Sequence, residues 1–140
     1  MIAIIISILI SFSGLISAEE SKKEFETEEY KVFRTTFFSL YRSGKFAESG
    51  QMLEKNLDRF PAKRANLAYN AVISYLKAEQ PESAVRVMQK ALDRGLFFNK
   101  YMVGSPLFAP LKSVKGFDRI LELNEAKRAE AQKKARATYE

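Results

Sequence analysis

One stretch of this chain comes twice. Tyr30 to Pro61 can be laid over Leu67 to Leu96 at an offset of 35 positions. Gly44-Lys45-Phe46-Ala47-Glu48-Ser49 then answers Glu79-Gln80-Pro81-Glu82-Ser83-Ala84, and Leu53, Asn56 and Pro61 answer Met88, Ala91 and Leu96. A helix-turn-helix unit recurring at about 34 residues buries its apolar face only against its neighbours, so it predicts stacked α-hairpins. Stacks of this kind present surfaces to partners and seldom carry chemistry themselves.

Helical periodicity supports each half. Tyr30, Phe33, Phe37, Leu40 and Tyr41 form a first stripe, ended by Gly44, where the chain leaves with positive φ. Phe46, Gly50, Leu53, Leu57 and Phe60 form a second, stopped by Pro61. Leu67, Ala68, Ala71, Val72, Tyr75 and Leu76 make the third. Pro81 opens a fourth helix at its first position, with Ala84, Val85, Met88, Ala91 and Leu92 facing inward and Gly95 ending it. The helical spacing of Tyr30, Phe33, Phe37, Phe46 and Phe60 assigns these aromatics to the core.

The pattern resembles the tetratricopeptide repeat family over about half the chain. With Pro61 as the family's terminal proline, Phe33, Leu40, Gly44, Phe46 and Leu53 fall at its packing positions, and Ser49 and Ala84 at its small one. Phe37 stands where the family has Gly or Ala, and Leu96 replaces the second proline. Gly95 to Leu123 resembles the half-repeat that closes such arrays in bacterial proteins, with Pro110-Leu111, a basic loop from Lys112 to Gly116, and a helix led by Phe117. The implied fold is an all-α, tetratricopeptide-like solenoid of α-hairpins with a C-terminal capping helix. Its repeats run over about 30–61 and 65–96, its half-repeat over 97–123, and a basic helical extension over 124–140.

The flanks read differently. Met1 to Ala18 carries no charged side chain and ends in small residues, the form of a secretory signal peptide cleaved after Ala18. An uncleaved anchor is the alternative, although a membrane span needs about 20 apolar residues. Either way the chain is expected to be exported, periplasmic or secreted, and to meet a membrane only through that segment. Residues 19–29 read as a polar linker or a frayed helix start. Leu107 to Leu111 reads as a single turn. Thr138-Tyr139 hints at a strand, which would make the last helix the entry to a further domain; a frayed basic tail is the alternative.

Composition narrows the chemistry. The 140 residues contain no Cys, His or Trp. That removes disulfides, thiolate nucleophiles, the usual neutral-pH base and the commonest metal ligand. No catalytic, cofactor or metal residue is assigned. The net charge of +6 favours acidic partners, but the cations are interspersed with acids along helices and read as solvated faces. The cluster from Lys127 to Arg136 lacks the interleaved aromatics of a nucleic-acid surface, so no nucleic-acid role is expected.

The resemblance implies a groove lined by the first helix of each hairpin. Lys31, Arg34, Phe38, Tyr41 and Arg42 come from the first repeat, and Tyr69, Asn70, Ile73 and Lys77 from the second. Arg34 and Asn70 match two positions that clamp a terminal carboxylate in chaperone-binding members, whereas Phe38 replaces a polar amide of that clamp. The expected function is protein or peptide binding through aromatic and basic contacts, without catalysis. The alternative is an accessory repeat domain of a secreted α/β-hydrolase whose catalytic residues lie beyond residue 140.

Overall fold

The computed structural model describes residues 26–139. The charge-free segment 1–18, the cleavage position Ala18 and most of the 19–29 linker lie outside the described residues. Those described are all-helical, with no strand among them. In order they form α1 (Glu28–Arg42), α2 (Phe46–Lys55), a 3-10 turn (Pro61–Lys63), α3 (Arg64–Lys77), α4 (Pro81–Asp93), short α5 (Lys100–Val103), a 3-10 helix (Pro106–Ser113) and α6 (Phe117–Ala137).

The chain divides into two units between Val32 and Phe33. In the described part of the first, Thr27 Oγ1 accepts the Tyr30 N–H at 3.2 Å, and Glu28 and Glu29 fill the first turn of α1. A threonine cap followed by acids suits a helix N-terminus, so α1 starts at Glu28, two residues ahead of the apolar stripe that opens at Tyr30.

In the second unit, α2 packs on α3, α3 on α4, and α4 on both α6 and the 3-10 helix. The α1 segment joins through rings: Phe33 lies 4.9 Å from Phe60 and Tyr41 meets Phe46 edge-on at 5.1 Å. Leu53, Leu57, Leu67, Val72, Tyr75, Met88 and Leu92 are sealed from solvent. Small side chains between them let the helices approach. Ser49 and Ala84, the small residues expected at equivalent places, are both wholly buried. Ser49 Oγ also reaches the Phe37 carbonyl at 3.4 Å and Ser74 Oγ at 3.3 Å.

Three turns share one geometry, the third after α4, where the Gly95 N–H reaches the Leu92 carbonyl and the Leu96 N–H the Ala91 carbonyl, both at 3.0 Å, with Gly95 at φ +81°. After α1, the Gly44 N–H reaches the Tyr41 carbonyl at 3.1 Å and the Lys45 N–H the Leu40 carbonyl at 2.9 Å. After α3, the Glu79 N–H reaches the Leu76 carbonyl at 3.1 Å and the Gln80 N–H the Tyr75 carbonyl at 2.9 Å. Each pair satisfies the helix's last carbonyls in the Schellman pattern, which requires a left-handed residue. That residue is Gly44 at φ +75° in the first turn and Glu79 at φ +57° in the second. A glutamate there is strained relative to glycine. The sequence marks the first turn plainly and hides the second.

One helical glycine is explained by its neighbour. A Cβ on Gly50 would lie 3.1 Å from the Tyr75 ring, so the bare backbone lets that ring lie against α2. The gap offsets the roughly 1 kcal/mol that glycine costs within a helix.

Several expectations shift. Helix α2 ends at Lys55, well before Pro61, because Asn56 turns its amide back onto the Met52 carbonyl at 2.7 Å and leaves helical geometry. Pro61 opens the next turn instead of stopping a helix. On α4 the fully buried valine is Val87, while Val85 is only half-buried. The stretch around Leu107 to Leu111 extends into a 3-10 helix that includes Lys112 and Ser113 of the expected loop. Thr138 continues the last turn of α6, its N–H on the Ala135 carbonyl at 3.3 Å.

Candidate functional surfaces

The expected groove residues are only partly assembled. Tyr41 and Lys77 come together, the Lys77 ammonium lying 5.8 Å from the Tyr41 ring and 5.7 Å from that of Phe46. Such a cation over two rings contributes about 0.5–1 kcal/mol at an exposed site. Phe38 is 38% exposed; it stacks on Phe37 at 4.4 Å and carries the Arg42 guanidinium at 5.8 Å. Asn70 donates its amide to Asn66 one turn back, to the carbonyl at 3.0 Å and to the side-chain oxygen. An amide engaged in this way is not poised as the carboxylate clamp would need. Arg34 and Ile73 are half-buried. Lys31 belongs to the first unit, where it pairs with Glu28 at 2.6 Å.

A polar cluster that the sequence reading missed sits between α2 and α4. The Glu54 carboxylate is only 8% exposed and accepts from Arg86 Nε and Nη2 at 2.8 and 2.9 Å, Lys90 Nζ at 2.7 Å and Tyr75 Oη at 2.6 Å. One turn on, Asp58 accepts two 2.7 Å bonds from Arg94 and pairs with Arg64 at 3.2 Å. Glu54 lies in the last turn of α2 and Asp58 in the turn that follows it, while Arg86 and Lys90 are four apart on α4 and Arg94 caps its end, so acids on one side meet cations on the other. The cations of α4 therefore pair across to α2 while remaining half-exposed to solvent.

The cluster's charges follow from its bonds. The Arg86 hydrogen bond, against the burial cost, holds the Glu54 carboxyl down at about 2. Burial, then the neighbouring Glu54, pushes the Tyr75 phenol up to about 12. Arg86 is raised by Glu54, and Asp58 is lowered by Arg94. A carboxylate held so low is a poor base at neutral pH and has no proton to give. The cluster binds helices together. A cleft of about 290 Å³ lies over it, lined by Gln51, Lys55, Gln80 and Ser83 as well.

Two more clefts flank the segment between α4 and α5. The first, about 180 Å³, is walled by Ala65, Ala68, Tyr69 and Ala91 on one side and by Leu96, Phe97, Phe98 and Met102 on the other. Of the expected groove residues, Tyr69 is the one that lines it. The second, about 280 Å³, is formed by Phe97, Asn99, Lys100, Tyr101, Arg128 and Gln132. Phe97 is 44% and Tyr101 77% exposed.

What positions this segment is Asn124 of α6. Its side-chain oxygen accepts the Phe98 N–H at 2.6 Å and its amide donates to the Phe98 carbonyl at 2.9 Å, while Asn124 itself is 4% exposed. Around it Phe98, Phe108, Leu111, Phe117 and Ile120 are buried. In sequence Asn124 looks like the residue at which the apolar face of α6 fades. A lone polar residue one position beyond a stripe is the only signal it leaves.

No protein-family model, characterised protein or solved structure matches this chain.

Proposed function

We propose that this chain is an exported, tetratricopeptide-like module that binds a protein or peptide partner and carries no catalysis of its own. The observation behind the reading is the 35-residue spacing of two like turns, each between paired helices, in a geometry that also closes α4 at Gly95. Gly44 and Glu79 stand 35 positions apart, both have positive φ, and both organise the same two backbone hydrogen bonds. A left-handed glutamate where glycine is easier is what a duplicated hairpin leaves behind when sequence drifts and backbone does not. Export rests on the charge-free run Met1 to Ala18.

The binding face takes in the exposed Phe38 under Arg42 and the half-buried Tyr41 under Lys77, with the half-buried Tyr69 in the small apolar cleft. Photo-crosslinkers placed at Phe38 and Lys77, and a control placed at the exposed Asp93 on α4, test it in the native cell. A partner captured from the first two positions and not from the control, whose affinity for the purified protein falls about tenfold in Lys77→Glu, agrees with the proposal. Equal capture from all three positions contradicts it. The intact mass of the purified native protein tests export: a mass beginning at Glu19 is expected.

A further inference from the structure

We infer that residues 96–99 form a one-residue strand edge, at Phe97, that accepts an extended peptide bearing a bulky apolar side chain followed by a carboxylate. The inference names the ligand class of the proposed binding module and rests on that reading.

The backbone carries the first half of the argument. One side-chain amide, that of Asn124, takes both the N–H and the C=O of Phe98, at 2.6 and 2.9 Å. Those two groups of a single residue point the same way only when that residue is extended. Asn124 thus stands where a neighbouring strand would be. In an extended chain the N–H and C=O of the preceding residue point to the opposite edge. Among the described residues nothing bonds to the Phe97 N–H or C=O, and Phe97 is 44% exposed. An edge with one side paired and the other open is a template for strand addition.

The side chains carry the second half. The two clefts meet at Phe97 and Asn99, so a peptide crossing Phe97 reaches both. The first cleft is lined almost wholly by apolar side chains, Tyr69, Leu96 and Met102 among them. At about 180 Å³ it is below the size of a small-molecule site and suits one Leu, Met or Phe side chain. In the second, Lys100 and Arg128 face one carboxylate, Glu125, which leaves the cleft net positive. Lys100 Nζ sits 5.1 Å from the exposed Tyr101 ring, placing a cation beside an aromatic platform. On a strand, residues two apart share a face, so an apolar side chain and an acid at that spacing address the two clefts together.

The test uses the purified full chain and a blocked peptide, Ser-Glu-Leu-Thr-Glu-Glu-Ser, followed by calorimetry and by amide exchange at Phe97. Binding that slows Phe97 exchange about tenfold or more is expected, as is about tenfold weaker binding to Ala65→Leu, which fills the apolar cleft from an exposed position. Lys100→Glu is expected to weaken binding about fivefold, and N-methylation of the leucine amide to abolish it. No binding below about 1 mM overturns the inference, as does binding that leaves Phe97 exchange unchanged. Binding lost in Lys77→Glu but intact in Ala65→Leu also overturns it, while leaving the proposed helical groove standing. Failure of Lys77→Glu, Ala65→Leu and Lys100→Glu alike to weaken the probe removes both.

Discussion

Glu54 and Asn124 do the same job by different physics. Each ties together segments far apart in sequence, Glu54 joining α2 to α3 and α4, and Asn124 joining α6 to the chain that follows α4. Glu54 does it with charge, among partners that are half-exposed: Arg86 at 51% and Lys90 at 42%. Asn124 does it with a neutral amide sealed at 4% exposure. A charged tie near solvent is weakened by screening and by acid. A buried neutral tie responds to neither, but leaves two main-chain groups stranded if it is cut.

The largest expected effect therefore belongs to the less conspicuous residue. Asn124→Ala should destabilise by about 3 kcal/mol, because the Phe98 N–H and C=O lose their partners in a dry setting. Urea unfolding measures it; a loss under about 1 kcal/mol would mean that Phe98 finds other partners and the comparison fails. Glu54→Ala should cost on the order of 2–3 kcal/mol, since it strands the Tyr75 hydroxyl and two cations that water can partly reclaim.

Acid separates the two ties most cleanly. The Glu54 carboxyl sits at about 2 in the folded protein against 4.5 for the free group. Its folded value is depressed, so its contribution is complete above pH about 4.5 and is lost as pH falls through about 2. Unfolding followed from pH 5 to pH 2 should show wild type losing stability that Glu54→Ala never had, so their curves converge. The deficit of Asn124→Ala should stay constant over the same range. Tyr75→Phe is a smaller step, about 1 kcal/mol for one hydrogen bond with the ring left in place against Gly50. Asp58→Asn should be smallest and should fade further in high salt, because Asp58 is 61% exposed. A melting-temperature loss for Asp58→Asn exceeding that of Glu54→Ala would reverse the ranking.

How much of this was legible in sequence depends on the kind of interaction. Apolar periodicity located the helices, since Leu53, Leu67, Val72 and Met88 are buried as their spacing implies. It placed the ends poorly: Asn56 stops α2 through its own side chain, and Thr27 starts α1, both local hydrogen bonds that outrank the stripe. The groove residues came out mixed. Tyr41 and Lys77 meet, as a shared face requires, whereas Asn70 satisfies itself against Asn66, a choice between partners that spacing cannot reveal.

The polar ties were harder still. Glu54 and Asp58, like Arg86, Lys90 and Arg94, do recur at four-residue intervals, but reading them as partners needs the knowledge that α2 lies beside α4. Asn124 has no pattern at all; its meaning lies in the main chain of Phe98, to which sequence gives no access. The two clefts inherit that obscurity, because both depend on the segment that Asn124 holds extended.

The most direct test is amide exchange at two adjacent residues, Phe97 and Phe98, in the free protein at neutral pH. The account predicts strong protection at Phe98, whose N–H is held by Asn124, beside near-unprotected exchange at Phe97. Equal rates at the two positions would mean that the segment is not an extended edge, and both the Asn124 tie and the peptide surface built on it would fall.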